Sequence, residues 1–569
     1  MLQFINLLPA SDEYLITDHY FFKINVGAID MIRLTKKFSA LVVSLLVTGF
    51  FIPANAFSDG YILSGAYAGK ATMLYDNKLN VVTTWDHSKL SDSLNGYSCY
   101  LMPNGHLLRS GQAPAVYRGV TQISPPPNAA PQQGTIDEID AKGNVVWSYT
   151  LCDSIHMLHH DFKPLPNGNI LAVSFVRYTR AQLIAAGVDS TLKDNGTKAK
   201  AMLGEKIVEI KPDYENGGGS IVWEWTMLDH VAPKELAMNN PNVISGSIVP
   251  SLFSGQWVHL NGIDYDSTRD LIVFTSRVFS ELFIIDHSTT TEEAKSHSGG
   301  DHGKGGDILY RWGHSSNYLQ NGTQTINVLH CPTWIPKGYP GEGNIMFFHN
   351  NVNGTSGVSE VVEITPPFDN DGKFIQQSGA AFGPSSPAWV YAPASDFRSD
   401  YMSSTFRLPN GNTLIHEAYP GAAGPMGSSG SRLREVTKEQ AIVDTGSLKS
   451  GGSSGGFGMS YNPAKIMYYP SSYAGIKNLL ASLNTPVITS RSSSKQEISI
   501  SATSKSILFV NAQGCSVGIF TLNGKPVVTS NAASDRFALS TSSIPSGTYL
   551  VKIINGTTTT QHKLFTLLP

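Results

Sequence analysis

The sequence predicts an all-β protein: a six-bladed β-propeller followed by a small C-terminal β-sandwich. Three observations carry this expectation: a composition poor in charge and rich in turn formers, two strand motifs that alternate along the chain, and a break in that pattern after a Ser-rich stretch. At 569 residues the chain is too long for one ordinary core, so a large closed architecture or several domains is required. Only 15% of residues are charged, and 53 Gly with 31 Pro leave little room for long amphipathic helices.

The first motif is a β-branched strand, a turn, and a second strand ending in an aromatic. It reads Ala71-Thr72-Met73-Leu74-Tyr75 before residues 81–85, then 135–140 before 144–149, 206–210 before 221–225, and 282–286 before 308–312. Degenerate copies open at 361–364 and 433–436, which makes six, spaced 63 to 78 residues apart. The second motif is a hairpin with a Pro-Asn-Gly turn, as in Met102-Pro103-Asn104-Gly105, Leu165-Pro166-Asn167-Gly168 and Leu408-Pro409-Asn410-Gly411. Looser copies lead from Asp266 to 271–275 and from Pro336 to 344–348. Asn and Gly suit these turns because a tight hairpin needs positive φ. Two hairpins make a four-stranded sheet with two faces to bury, and ring closure buries both. Two stacked sandwiches would also use short strands and regular turns, but the sixfold alternation favours the propeller. Residues 60–66 are expected to help close the last blade, and Trp85, Trp147, Trp223, Trp225 and Trp312, recurring with the repeat, to pack between blades.

Four segments follow. Residues 1–56 are set aside as an N-terminal extension and signal peptide: Arg33, Lys36 and Lys37 precede an apolar run over 40–52 and Ala54-Asn55-Ala56, with Met31 as the expected start. No later run reaches the ~20 apolar residues of a membrane span. The propeller occupies 57–484, a Ser-rich linker 485–496, and a β module 497–569. A net charge of −3 without a basic run argues against nucleic acid as a partner. Cys99, Cys152, Cys331 and Cys515 contain no CxxC pair, so a structural zinc site lacks sequence support, while a Cys99–Cys152 disulfide is permitted.

Candidate chemistry lies just ahead of the second-motif turns. His160 and His330 each stand six residues before a turn proline, Pro166 and Pro336; His259 is seven before Asp266, as His160 is seven before Asn167. Tyr97 and Ser403 hold the equivalent positions in two other repeats. Equivalent positions in a propeller form a ring, so three imidazoles from different blades should converge. His287, His297 and His302 lie in a Gly- and Ser-rich stretch that reads as a solvated insertion rather than a metal site, and 421–430 as a loop without phosphate-binding spacing.

The run Trp257-Val258-His259-Leu260-Asn261-Gly262-Ile263-Asp264-Tyr265-Asp266, followed by Thr275-Ser276-Arg277, resembles the bacterial arylsulfate sulfotransferases, where a His-x-Asn and an Arg on the next strand face the central channel. His159-His160-Asp161, Asn410-Gly411-Asn412-Thr413-Leu414-Ile415 and Met467-Tyr468-Tyr469-Pro470 with Tyr473-Ala474-Gly475 extend the resemblance over roughly residues 57–480. It implies transfer of a sulfuryl group from a phenolic sulfate donor to a phenol acceptor without metal, nucleotide or other cofactor. It further implies that His330 becomes sulfated, that His259, Asn261 and Arg277 bind and polarise the sulfuryl group, and that His160 completes the cluster. Tyr97, Ser403 and His159 are expected beside the substrate. Two points depart from the family pattern. Cys331-Pro332 follows His330, and the 18-residue spacing of His259 to Arg277 is matched by His159 to Arg177, so either His159 or His160 could face the channel.

The chemistry suits these residues. A neutral imidazole is a competent nucleophile toward sulfur, an Arg fork stabilises sulfuryl oxygens, and a second histidine can move the phenol proton. The same imidazoles could instead hold a divalent metal in a hydrolase or lyase, or the propeller could bind without catalysis. Residues 517–525 and 544–553 resemble the C-terminal sorting domain of the type IX secretion system, which implies the secretion machinery as partner and delivery to the cell surface or medium; a carbohydrate-binding sandwich is the alternative.

Overall fold

In this computed structural model the residues described are 13–17, 20–24, 56–90, 94–112, 133–191, 193–194, 197–198, 201–247, 258–352, 357–376, 379–393, 397–421, 430–449, 462–484, 499–502, 506–510, 515–522, 525–534, 536–555 and 558–567. The expected signal peptide run and the linker lie outside them, as does most of the 421–430 loop. Glu13–Thr17 and Tyr20–Ile24 pair as an antiparallel hairpin.

One unit comprises residues 1–101 and 107–471. Its innermost strands are labelled in chain order: β1 (Asn95–Leu101), β2 (His156–Pro164), β3 (Leu260–Asp266), β4 (Leu329–Trp334), β5 (Ser404–Arg407) and β6 (Pro463–Tyr469). Each opens a four-stranded antiparallel sheet. The sheets of β1 to β5 run outward in sequence order, while β6 pairs with Tyr61–Ala66, which continues to Ala71–Tyr75 and Val81–Asp86. A sheet thus joins the two ends of the unit, as expected for residues 60–66. Each inner strand adjoins the next, β1 to β6 and back to β1, so the six sheets close a ring, the arrangement of a propeller.

Sheets in a ring are covered on both faces, and their middle strands become continuous apolar runs. In Leu271–Ser276, Ile272 and Phe274 pack with Ile207 and Trp225 of the β2 sheet, whereas Leu271 and Val273 pack with Ile345 and Phe347 of the β4 sheet. Blades are also tied by indole N–H groups. Trp85 donates to the Asp140 carbonyl (3.0 Å), Trp147 to Gly218 (2.6 Å), Trp312 to Pro384 (2.8 Å) and Trp389 to Lys438 (2.7 Å), each on the following sheet or its loops. The repeated tryptophans therefore lie between blades, as expected. Gly105, Gly168 and Gly411 close the Pro-Asn-Gly turns at φ of 86°, 87° and 89°, where a side chain would be strained. All four cysteines are buried free thiols, so the Cys99–Cys152 bridge permitted by the sequence does not form: Cys99 sits within β1, and Cys152 bridges by backbone to Met157 at the entry to β2.

A second unit comprises residues 102–106 and 472–569. The helix Ala474–Asn484 falls here, with Asn478 Nδ2 donating to the Pro103 carbonyl at 2.8 Å. A three-stranded sheet and a four-stranded sheet enclose Ile507, Phe509, Val517, Ile519, Leu539, Val551 and Ile553, the two-layered β module that the tail predicts.

Candidate functional site

The inner strands are irregular where the candidate residues fall. Ladders shift between Asn95 and Cys99 in β1, Leu158 and Phe162 in β2, Leu260 and Gly262 in β3, and His330 and Thr333 in β4. His160 (φ 48°), His259 (φ 58°) and Cys331 (φ 53°) adopt left-handed backbone at or beside these places, as do Met402 (φ 57°) and Ser403 (φ 83°) just before β5. Each such residue costs on the order of 1–3 kcal/mol, a strain that concentrates at functional sites. A bulge re-aims a side chain that a regular ladder would point into the neighbouring blade.

The bulges bring the three ring imidazoles together, each 5% exposed or less. The His160 ring lies 4.8 Å from that of His259 and 5.3 Å from that of Tyr97. Burial depresses the His160 and His259 pKa values far below the usual range, deepened by the neighbouring imidazoles and the Arg277 guanidinium. His330 is pushed down to about 3 by burial, with Arg277 adding to the shift and a hydrogen bond to Asn350 opposing it. All three rings are uncharged at neutral pH. Arg277 follows the strand Leu271–Ser276, its backbone N–H donating to the His259 carbonyl (3.1 Å) and its guanidinium 5.9 Å from the Tyr401 ring centroid. Burial lowers its pKa, yet a guanidinium stays charged at neutral pH, so the ring carries a cation among neutral imidazoles.

Hydrogen bonding fixes which nitrogen of His330 is free to react. Its Nδ1 meets Asn350 Oδ1 at 2.6 Å, while Asn350 Nδ2 donates to the carbonyls of Ser399 (2.7 Å) and Met402 (3.1 Å). Those carbonyls can only accept, which fixes the amide; Oδ1 is then the acceptor, His330 Nδ1 carries the proton, and Nε2 holds the lone pair.

His159 and His160 take separate places. His160 faces the ring. His159 lies behind it, fully buried and stacked on Phe175 at 3.6 Å, with its Nδ1 2.7 Å from His160 Nδ1 and its Nε2 2.7 Å from Glu205 Oε2. Glu205 is itself fully buried; burial raises its pKa against the hydrogen bonds from His159 and the Leu260 N–H. Glu205, His159 and His160 form one hydrogen-bonded chain ending at the ring. His159 thus stands one residue away from the ring rather than on it.

Two further expectations change. Asn261 is buried with its amide spent: Nδ2 donates to the Leu329 carbonyl (2.7 Å), and Oδ1 accepts from Thr275 (2.7 Å). It fastens β3 to β4 immediately before His330, so the expected role in binding a substrate gives way to a structural one. Ser403 is likewise fully buried, its Oγ donating to Ser399 Oγ (2.9 Å) and accepting the Ala418 N–H (3.1 Å), which caps the strand after β5. Tyr97 stays in the ring, 2% exposed, its hydroxyl without a hydrogen-bond partner among the described residues. Beneath the ring, Lys465 of β6 pairs with Asp161 of β2 (2.8 Å), and Asp161 also accepts from Ser98 and from the Ile263 N–H, joining four inner strands through one carboxylate.

Asn350 and Glu205 were not singled out by sequence spacing. The structure shows a usable signal: in the sheets of β1 to β4, the backbone N–H that bonds just ahead of the inner strand belongs to Gln112, Arg177, Arg277 and Asn350, bonded to residues 94, 155, 259 and 328. Arg277 and Asn350 are thus equivalent positions in neighbouring repeats.

Fold and site together define a propeller protein with a buried cluster of imidazoles and a guanidinium. The chain belongs to the arylsulfotransferase (ASST) family, whose model matches residues 61–363, and residues 490–566 match the secretion system C-terminal sorting domain. This membership supports an aryl sulfotransferase enzyme with small-molecule substrates, and the tail marks the protein for export to the cell surface or medium. Among curated proteins nothing matches the chain. Similar solved structures include the β-propeller domain of Cps50 (Swd1) from Myceliophteria thermophila, at 11% identity over 70% of this chain and 86% of that one (TM-score 0.33). The periplasmic gluconolactonase of Pseudomonas aeruginosa aligns at 10% identity over 72% and 99% (TM-score 0.33). Among the described residues no helix is long and apolar enough to cross a membrane.

Proposed function

We propose that this protein moves a sulfuryl group from a phenolic sulfate ester to a phenol through a covalent intermediate on His330 Nε2. The observation that carries the reading is the Asn350 contact, which puts the lone pair of an uncharged imidazole on Nε2 beside Arg277. In the first half-reaction Nε2 attacks sulfur, the S–O(aryl) bond breaks as the N–S bond forms, and the departing phenolate takes a proton held on the Glu205–His159–His160 chain. The acceptor phenol then gives its proton to His160 as its oxygen attacks sulfur and the N–S bond breaks, which restores the enzyme. Arg277 stabilises the sulfuryl oxygens in both steps, and His259 lines the same space. A guanidinium at the ring favours an anionic group over a bound cation there. The apolar run over 40–52 serves as an export signal in this reading.

The test is transfer from phenyl sulfate to a phenol acceptor, with and without chelator. Donor-dependent sulfation insensitive to chelator is expected, as is a sulfuryl adduct on the His330 peptide when acceptor is withheld. His330→Ala should lose both. Transfer by that variant, or turnover abolished by chelator, would overturn the assignment.

A further inference from the structure

The insertion between Glu281–Asp286 and Tyr310–Trp312 carries a side-chain group that sulfuryl transfer does not use. His230 ends the 3-10 turn Met227–His230, fully buried and stacked parallel to Trp225, with ring centroids 5.5 Å apart. Its Nε2 lies 2.9 Å from the Ala294 carbonyl, which only accepts, so Nε2 carries hydrogen and Nδ1 of the neutral ring holds the lone pair. That Nδ1 is 2.9 Å from Asp307 Oδ1, and His297 Nδ1 approaches the same oxygen at 2.7 Å. A lone pair facing a carboxylate oxygen is repulsive, so a proton or a metal ion must lie between them. A ring N–H held by a backbone carbonyl is also how metal-bound histidines are oriented.

We propose that His230, His297 and Asp307 form a Zn²⁺ site. The three ligating atoms lie within 4.8 Å of one another. Metal–ligand bonds of about 2.0–2.1 Å place tetrahedral neighbours roughly 3.3 Å apart, so each nitrogen must draw back from Asp307 Oδ1 by about half an ångström and the two nitrogens must stand within that same distance of each other. His297 can supply that movement, since its side chain is 63% exposed while His230 and Asp307 are buried. Two imidazole nitrogens and one carboxylate suit Zn²⁺, whereas Ca²⁺ and Mg²⁺ call for oxygen ligands throughout. Water takes the fourth position on the exposed side. The ion links the turn that follows the β2 sheet to the insertion of the β3 sheet, alongside Trp225 Nε1 on the Gly306 carbonyl (2.7 Å) and Asn242 Nδ2 on the Ile308 carbonyl (2.5 Å). It is a clip between neighbouring blades, separate from the ring.

The test uses full-length protein stripped of metal and titrated with Zn²⁺, reading bound metal after gel filtration and the unfolding temperature. Wild type is expected to take up Zn²⁺ at this site and to unfold at a higher temperature with it. His297→Ala, an exposed position that leaves the fold intact, should bind at least tenfold more weakly and lose the shift. Asp307→Asn should do the same, and His330→Ala should keep both uptake and shift. No Zn²⁺ uptake by wild type, undiminished uptake and shift in His297→Ala, or their loss in His330→Ala would overturn the site.

Discussion

His330 owes its orientation to Asn350, a residue twenty positions away that is itself held by two backbone carbonyls. Asn350→Ala frees the ring to turn and to exchange tautomers. A supporting contact of this kind is worth about 10–100-fold in rate, so kcat should fall by that factor with KM little changed. Steady-state kinetics on folded variant, checked by circular dichroism, would show whether KM absorbs the loss instead. Glu205 acts one step further back. Glu205→Gln removes the carboxyl group through which His159 and His160 give up and regain a proton, and the loss should depend on the leaving group. With phenyl sulfate, whose phenolate needs protonation, kcat/KM should fall about 10²-fold or more. With nitrophenyl sulfate, whose phenolate leaves unassisted, the fall should be much smaller. Equal losses on both donors would mean that Glu205 only supports packing.

At the level of elements, the bulges matter more than the strands that carry them. Gly262 follows Asn261 in β3, and a Cβ there would stand 2.4 Å from Pro332 Cδ and 3.1 Å from the Cys331 nitrogen. The unusual Cys331-Pro332 pair is therefore accommodated by a glycine on the neighbouring strand. Gly262→Ala should push β4 away from β3 beside His330, cost about 1–3 kcal/mol and lower the unfolding temperature by several degrees. Activity should fall further than stability predicts; calorimetry and transfer assays on one preparation would separate the two. The repeats explain how much could be read beforehand. Strand motifs, Pro-Asn-Gly turns and ring histidines recur at fixed spacing, so the sheets and the convergence of His160, His259 and His330 were legible. Orientation was not. The spacings disagreed over His159 and His160, the turn favouring His160 and the distance to Arg177 favouring His159, because a left-handed residue at the bulge decides which ring turns inward. Nor could spacing show that Asn261 and Ser403 are consumed by neighbouring backbone, since those partners lie on other blades or loops. His287 likewise reads as loop sequence, yet it bridges Asp270 (2.6 Å) and Glu209 (3.1 Å) across the β2 and β3 sheets.

For the whole molecule, a ring closed around uncharged imidazoles sets how stability depends on pH. Burial pushes His87, His330 and His416 down to about 3, against an ordinary histidine value of 6.5. Arg109 adds to the shift of His87, Arg277 adds to that of His330, and the Asn350 hydrogen bond only partly opposes the latter. As pH falls below 6.5 the unfolded chain binds protons that the folded chain refuses, so stability present above 6.5 is lost progressively toward about 3. His287 behaves in the opposite sense: burial alone would lower it, but its bonds to Asp270 and Glu209 outweigh burial and raise it to about 9. Its contribution is complete below 6.5 and disappears as pH rises through about 9. Unfolding temperature plotted against pH should therefore form a dome, steep on the acid side, where several groups act together, and shallow on the alkaline side. His287→Gln keeps a hydrogen-bonding side chain but cannot become cationic, so it should lower the plateau near neutrality and flatten the alkaline limb while leaving the acid limb in place. An alkaline limb unchanged in that variant would assign the loss to other groups and separate the His287 bridge from the joining of the β2 and β3 sheets.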